Sequence, residues 1–243
     1  MCTTSDTAAP MTTDRTLDSA GLFRLLAWLS PSYPIGAFSY SHGLEYAIEA
    51  GLVRDRASLG DWIAGVLRHG SGRIDGALLA AAWRATADDD RDALDAVAGL
   101  ASAWRGTAEM ALEARQQGAS FLAITRTAWP HPALDAFAQR HNGQAALAVA
   151  VGVATASHQV PLRAVLTAFL HAFAANLVSA AVRAIPLGQS DGQRALASLE
   201  PAVAAGAASA EAVDDLGAIG SASPLLDWCS MRHETQYTRL FRS

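Results

Sequence analysis

Two sets of side chains have spacings that suit metal binding or nucleophilic chemistry. His42, Glu45 and Glu49 fall at i, i+3 and i+7, which would place them on one helix face. Their order is not that of the His-Glu-x-x-His zinc motif, and an exposed polar face gives the same pattern. Cys229 and His233 lie four residues apart and could share a metal or act as nucleophile and base. Since a single cysteine near a histidine is a weak signal, we predict neither a metal site nor a catalytic site.

A run of aspartates offers the main enzymatic alternative. Asp88 to Asp92 contains the pattern Asp-Asp-x-x-Asp. In all-α isoprenoid synthases such carboxylates hold Mg²⁺ against a pyrophosphate, because clustered carboxylates suit a hard cation. The run also lies between two predicted helices, where aspartate acts as an N-cap. Asp214-Asp215 lacks the third aspartate of a second motif. A magnesium-dependent enzyme using Asp88, Asp89 and Asp92 therefore remains the alternative function.

The basic residues exclude further chemistries. All 18 are arginine, and the chain contains no lysine. A Walker-type phosphate loop and Schiff-base catalysis both need lysine. The formal net charge of −5 disfavours a helical DNA-binding regulator, because such proteins need a basic face. We therefore predict no cofactor and no nucleic-acid partner.

The size and composition predict a globular helical protein. The 243 residues suffice to bury a core, and 51% are hydrophobic against 17% charged. Alanine dominates and alternating β-branched runs are scarce, which favours an all-α fold. Cys2 and Cys229 do not form a disulfide framework, so we expect a cytoplasmic location. Met1 to Thr13 lacks the pattern of a signal peptide, and we predict a disordered tail over residues 1–15.

The longest apolar run lies between Arg163 and Arg183 and has the length of a bilayer span. It contains His171 and Asn176, and much of its apolar content is alanine, which inserts weakly. We predict a buried central helix and no membrane contact.

Helical periodicity, capping residues and Pro/Gly stops predict about ten helices in one domain over residues 16–223. The predicted ranges are Thr16–Leu29, Tyr40–Ala50, Ser58–His69, Ile74–Ala85, Asp92–Ala103, Gly106–Arg115, Phe121–Thr127, Leu134–Arg140, Asn142–Ser157, Pro161–Ala184 and Gln193–Val203. For Ala204 to Ala222 the sequence gives no clear secondary-structure prediction. Residues 224–243 form a separate C-terminal segment, which is rich in arginine and aromatic residues and poor in alanine.

Two segments look built for contact with another protein. The connector from Ser30 to Gly51 contains two prolines, three glycines and four aromatic residues, which is typical of a loop that presents a surface. The stretch from Ser230 to Ser243 holds methionine, aromatic residues and three arginines. These residue types are enriched in protein interfaces, whereas chain ends are normally polar and frayed.

Both segments resemble motifs of one family, the urease accessory protein F family (UreF). Pro34 to Glu45 is similar to its N-terminal motif, Pro186 to Gln193 to an internal motif, and Ser223 to Ser243 to its C-terminal signature. Three separate motifs in the right order make the resemblance specific over about Leu22 to Ser243. Trp83 to His141 carries little family signal that we can name.

The resemblance implies a non-enzymatic, dimeric, all-α scaffold. Members of the family bridge a D/H-type urease accessory protein and a G-type accessory GTPase, and the assembly delivers nickel to apo-urease. The sequence agrees with this role, because without a phosphate loop any GTP hydrolysis must occur in the partner.

The resemblance also assigns partner-binding residues. In the N-terminal motif they are Pro34, Gly36, Phe38, Ser39, Tyr40, Ser41, Gly43 and Glu45. In the C-terminal motif, placed at the D/H-type partner, they are Met231, Arg232, His233, Glu234, Tyr237, Arg239, Leu240 and Phe241. Pro34 and Gly36 could instead serve only to shape the turn. We expect the C-terminal segment to be mobile in the free protein and to order on binding; the alternative is a tail packed on its own domain.

Overall fold

The computed structural model describes residues 16–243, and all regular elements in that range are helical. The all-α prediction is confirmed; the predicted tail over residues 1–15 lies outside the described residues. The twelve α-helices of this range are α1 Ser19–Trp28, α2 Leu44–Glu49, α3 Arg56–His69, α4 Ser71–Ala87, α5 Arg91–Ala103, α6 Ala108–Ala128, α7 Pro132–Arg140, α8 Leu147–Ser157, α9 Leu162–Ala184, α10 Gln189–Ser198, α11 Glu200–Glu211 and α12 Pro224–His233. Single 3₁₀ turns lie at Ala37–Ser39 and Leu216–Ala218.

Helices α4 and α8 form the centre of the core. Nearly every residue of α8 is buried, as its all-apolar sequence predicts. Gly152 allows α8 to approach α4 closely, because a Cβ at this position would lie 2.7 Å from the carbonyl oxygen of Leu79. The other helices pack around this pair.

Helix α9 is long and apolar enough to cross a membrane by length and composition. Half of its most apolar stretch is buried, and it packs against α4, α10 and α11. Its exposed face carries Arg163, Thr167 and His171. Helix α9 is therefore one wall of the core, and it is less deeply buried than the predicted central helix.

The structure corrects several predicted boundaries. The pieces predicted at Gly106–Arg115 and Phe121–Thr127 are one continuous helix, α6. Helix α3 begins at Arg56 because Asp55 is its N-cap: the Asp55 carboxylate accepts a hydrogen bond from the Ser58 amide at 2.8 Å. The weakly determined stretch after Ala204 includes most of α11.

Helix α2 is shorter than predicted and lies close to α12. It begins only at Leu44, because Gly43 adopts the left-handed conformation with φ of 76°. A Cβ on Gly43 would also lie 3.2 Å from the amide nitrogen of Ser230 in α12. Glycine thus provides both the turn and the close helix approach, which brings the N-terminal and C-terminal motifs together.

Candidate functional site

Residues 234–243, here called the tail, are docked along the N-terminal motif. The Arg242 amide donates to the carbonyl of Ser39, and the Ser41 amide donates to the carbonyl of Ser243, both at 2.8 Å. The Ser41 hydroxyl donates to the same Ser243 oxygen. The two motifs therefore form one site, although they are about 200 residues apart in sequence (202 between Ser41 and Ser243).

The carboxylate of Glu45 is the centre of this contact. Glu45 Oε1 accepts the Leu240 amide at 2.7 Å, and Oε2 accepts the Phe241 amide at 3.0 Å. Oε2 also lies 3.0 Å from His233 Nε2. Glu45 is only 7% exposed, so these contacts replace its hydration.

His233 is fully buried between two carboxylates. Its Nδ1 lies 2.7 Å from Glu109 Oε2, opposite the contact of Nε2 with Glu45. Glu109 also pairs with the Arg239 guanidinium at 3.1 Å. Two carboxylates, an imidazole and a guanidinium thus meet at one point, so the buried carboxylates of Glu45 and Glu109 have hydrogen-bond partners.

Both ring nitrogens of His233 are engaged in this arrangement. Both His233 nitrogens face carboxylates, and residues 16–243 contain no group of three or more His, Cys, Asp or Glu side chains that could hold a metal ion. Cys229 is buried, and burial raises the pKa of its thiol to about 11, so the thiol is protonated near neutral pH. The pair Cys229 and His233 therefore has no nucleophilic geometry.

A second buried network holds the end of the tail. Glu113 Oε2 accepts a hydrogen bond from the Ser243 hydroxyl at 2.9 Å and lies 3.1 Å from His42 Nδ1. Burial alone raises the pKa of Glu113, but the charge and hydrogen bond of His42, with Ser243 and Arg105, outweigh it, and the pKa is lowered.

The structure contradicts the polar helix face expected for His42, Glu45 and Glu49. His42 precedes α2 and has a positive φ of 56°. His42 and Glu45 are buried, and only Glu49 is exposed, where its carboxylate accepts a hydrogen bond from the Gln236 side chain. The three residues therefore do not share one solvent-facing surface.

In the structure the C-terminal segment packs against its own chain, while its mobility in the free protein stays a prediction. Phe241 is 5% exposed and joins the main hydrophobic core. The Arg183 guanidinium of α9 lies 4.5 Å from the centre of its ring, a cation–π geometry. Phe241 thus joins the tail to the core of its own chain.

The sixteen expected partner-binding residues separate by exposure. The exposed ones are Pro34, Phe38, Met231, Arg232, Glu234, Tyr237, Arg239 and Leu240. Gly36 and Ser39 are half-buried, and the buried ones are Tyr40, Ser41, Gly43, Glu45, His233 and Phe241. The six buried residues therefore lie beneath the surface of this chain, whereas the exposed ones are accessible to another protein.

Five large apolar side chains of α12 and the tail are exposed. We call them together the display surface: Leu225, Trp228 and Met231 of α12, with Tyr237 and Leu240 of the tail. All five are large side chains with at least two fifths of their area exposed, and Tyr237 is fully exposed. Exposed arginines flank it at positions 232, 239 and 242.

The sequence analysis did not predict that side chains of α6 and α12 would take part in this site. Glu109 and Glu113 lie one helical turn apart and supply the carboxylates under the tail. Their i, i+4 spacing, continued by Gln117, was the available signal. Trp228 packs edge-to-face on Tyr46 at 5.3 Å between ring centres.

The aspartate run serves as a helix cap. The Asp90 carboxylate accepts the Ala93 amide at 2.9 Å and so begins α5. Asp89 is exposed, and its nearest ion-pair contact is Arg91 at 4.0 Å. Asp215 caps a separate 3₁₀ turn. The magnesium-dependent alternative is therefore not supported.

Comparison with known proteins places these features in a family. The UreF family model matches residues 53–200. A urease accessory protein UreF from Rhodopseudomonas palustris is 53% identical over 97% of this chain and 96% of its own length. Proteins of the same name from Granulibacter bethesdensis (53% identical; 92% of this chain, 94% of its own length) and a Methylobacterium species (52%; 90% and 87%) are similarly related.

The helical fold and the relatives together define an accessory protein of urease maturation. The chain belongs to the UreF family. The matched range includes Trp83 to His141, where we could name no motif.

Proposed function

We propose that this protein is a non-enzymatic, cytoplasmic scaffold that bridges a D/H-type urease accessory protein and the G-type GTPase, and so promotes nickel insertion into apo-urease. Membership of the UreF family supports the role in urease maturation. The display surface is the observation that carries the scaffold role. An exposed cluster of tryptophan, tyrosine, methionine and leucine has the composition of an interface centre.

The D/H-type protein is the partner that we propose for the display surface. Trp228 and Tyr237 are the residue types that most often dominate binding energy. The flanking arginines favour a partner that presents an apolar pocket within an acidic rim, because complementary charge speeds and orients association.

We also propose that the scaffold is a homodimer, as the family resemblance implies. Leu22, Phe23 and Leu26 on the outer face of α1 supply an exposed apolar patch of the kind that subunit contacts cover.

The test is capture of the cognate D/H-type protein and GTPase on the tagged full-length chain, with the captured proteins identified by mass. We expect both to be retained. Trp228→Glu should reduce capture of the D/H-type protein at least tenfold, since hot-spot residues carry about 2 kcal/mol or more. Ile124→Glu, an exposed apolar position on α6 outside the display surface, is the matched control.

A chain cut after Ser223, which lacks the whole display surface, should also lose the D/H-type protein. Capture of neither partner by the full-length chain would overturn the proposed function. Full capture by the shortened chain would overturn the assignment of the display surface.

A further inference from the structure

We propose that Glu45 is a positioning residue whose buried carboxylate anchors the tail. On this inference the N-terminal motif acts by holding the C-terminal segment in place. The family resemblance had suggested direct partner contact for Glu45. The anchoring is independent of the proposed function; only its consequence for partner capture rests on that function.

The first step is the geometry of the carboxylate. Its two oxygens accept the amides of two consecutive residues, Leu240 and Phe241, at 2.7 and 3.0 Å. Hydrogen bonds to an ionised acceptor are about twice as strong as neutral ones. Because both donors belong to the main chain, the contact fixes the backbone of the tail whatever its side chains are.

The second step is register. With these two amides fixed, Phe241 enters the core at 5% exposure while Leu240 points outward at 67%. A shift by one residue would bury Leu240 and expose Phe241. The backbone bonds of Ser39 and Ser41 to Arg242 and Ser243 continue the same register. Glu45 therefore decides which tail side chains reach the display surface.

The third step is how Glu45 itself is held. It lies in the first turn of α2, where an acidic residue is favourable. His233 of α12 contacts the same carboxylate from the other side at 3.0 Å. Ser41 Oγ accepts the Glu45 amide at 3.2 Å. The anchor is thus fixed by two elements before the tail reaches it.

The variant Glu45→Gln tests the anchor with almost no change in shape. It replaces one carboxylate oxygen by an NH₂ group, which cannot accept an amide hydrogen bond. Glu49→Gln is the matched control: Glu49 is exposed one turn later on α2 and accepts a hydrogen bond from the side chain of Gln236 in the tail, which the side-chain oxygen of glutamine can still accept. Glu45→Asp, which keeps the charge but withdraws it by one methylene, is the second variant.

The measurement is hydrogen exchange of the full-length protein, followed by mass spectrometry of peptides from the tail and from α8. In Glu45→Gln we expect the Leu240 and Phe241 amides to exchange at least tenfold faster, from the loss of charged hydrogen bonds of about 1.5 kcal/mol or more. Glu45→Asp should show the same change, smaller in size. The α8 amides in both variants, and the tail amides of Glu49→Gln, should keep the rates of the unaltered protein.

Unchanged tail exchange in Glu45→Gln would overturn the inference. So would an equal acceleration in α8, since that would mean general destabilisation; if Glu45→Gln does not fold, the same criteria apply to Glu45→Asp. In a separate arm, Glu45→Gln should weaken capture of the D/H-type protein although Glu45 is buried. Faster tail exchange with full capture would leave the anchor standing and overturn the role of the display surface.

Discussion

At the scale of single residues, the buried histidines and carboxylates among residues 16–243 all lie beneath the tail. They are His42, Glu45, Glu109, Glu113 and His233. Their types are visible in the sequence, but their partners are not, because Glu45 and His233 are 188 positions apart. Neither periodicity nor spacing can report a contact at that distance. This is why the sequence identified both motifs but not the contact between Glu45 and His233.

Glu113 makes a testable contribution to the acid stability of the protein. Its pKa in the folded state is lowered from the ordinary value of 4.5, so its ionised form stabilises the fold above that value. This stability is lost as the pH falls from there through the folded pKa. Urea unfolding between about pH 3 and pH 7 should therefore give a shallower acid limb for Glu113→Gln than for the unaltered protein. Parallel curves for the two proteins would contradict the prediction, and Glu49→Gln serves as the control.

Cys229 should be inert in the native protein. Its thiol is fully buried, and burial raises its pKa to about 11. Only the thiolate reacts with disulfide reagents. In a Cys2→Ser variant, we expect no thiol to react with a chromogenic disulfide at about pH 8 until denaturant is added, after which one thiol should react. Rapid reaction without denaturant would show that α12 opens readily.

At the scale of elements, local signals located most helices. The apolar periodicity placed α3 and α5, and the all-apolar run placed α8. The wrongly predicted boundaries have their cause in tertiary packing. Helix α6 continues through Gly118, although glycine lowers helix propensity at that position. In the structure Gly118 is needed for contact, because a Cβ there would lie 2.0 Å from the carbonyl oxygen of Ala145. The helix propensity of a residue carries no information about a backbone that packs against it from elsewhere in the chain.

Substitutions at Gly118 and Gly65 test whether close packing, rather than helix propensity, decides the effect of a glycine inside a helix. Both lie inside helices, but a Cβ on Gly65 in α3 would meet no atom within 4 Å. We expect Gly65→Ala to stabilise the protein by about 0.5–1 kcal/mol through helix propensity. Gly118→Ala should destabilise it by about 3 kcal/mol or more, because α6 must move away from the segment before α8. Chemical denaturation measures both, and equal effects would contradict the packing argument.

At the scale of the whole molecule, the all-α class followed from composition and periodicity, and the family followed from three short motifs. The arrangement of the two motifs in one site did not follow from the sequence. It depends on the turn at Gly43 and on the approach of α2 to α12, which only the folded chain displays. The same arrangement divides the expected contact residues into a buried group next to the tail and an exposed group.

Urease activation in cells separates the scaffold from the enzyme alternative. Deleting the chain should abolish nickel-dependent urease activity, whereas Asp89→Asn should leave it unchanged. Asp89 is exposed with a positive φ of 52°, a conformation that asparagine tolerates well. Loss of urease activation in Asp89→Asn, with normal protein levels, would contradict the proposed scaffold function.

The docking of the tail also has a consequence for the order of events during synthesis. Ser41 and Glu45 leave the ribosome early, but the groups that complete their hydrogen bonds come about 200 residues later (202 for Ser41 and Ser243). At roughly 5–20 residues per second, this gap lasts about 10 seconds or more. The helical core can form in that interval, while the display surface cannot. A nascent chain therefore presents the side chains of the tail in their final register only after the tail itself has been translated.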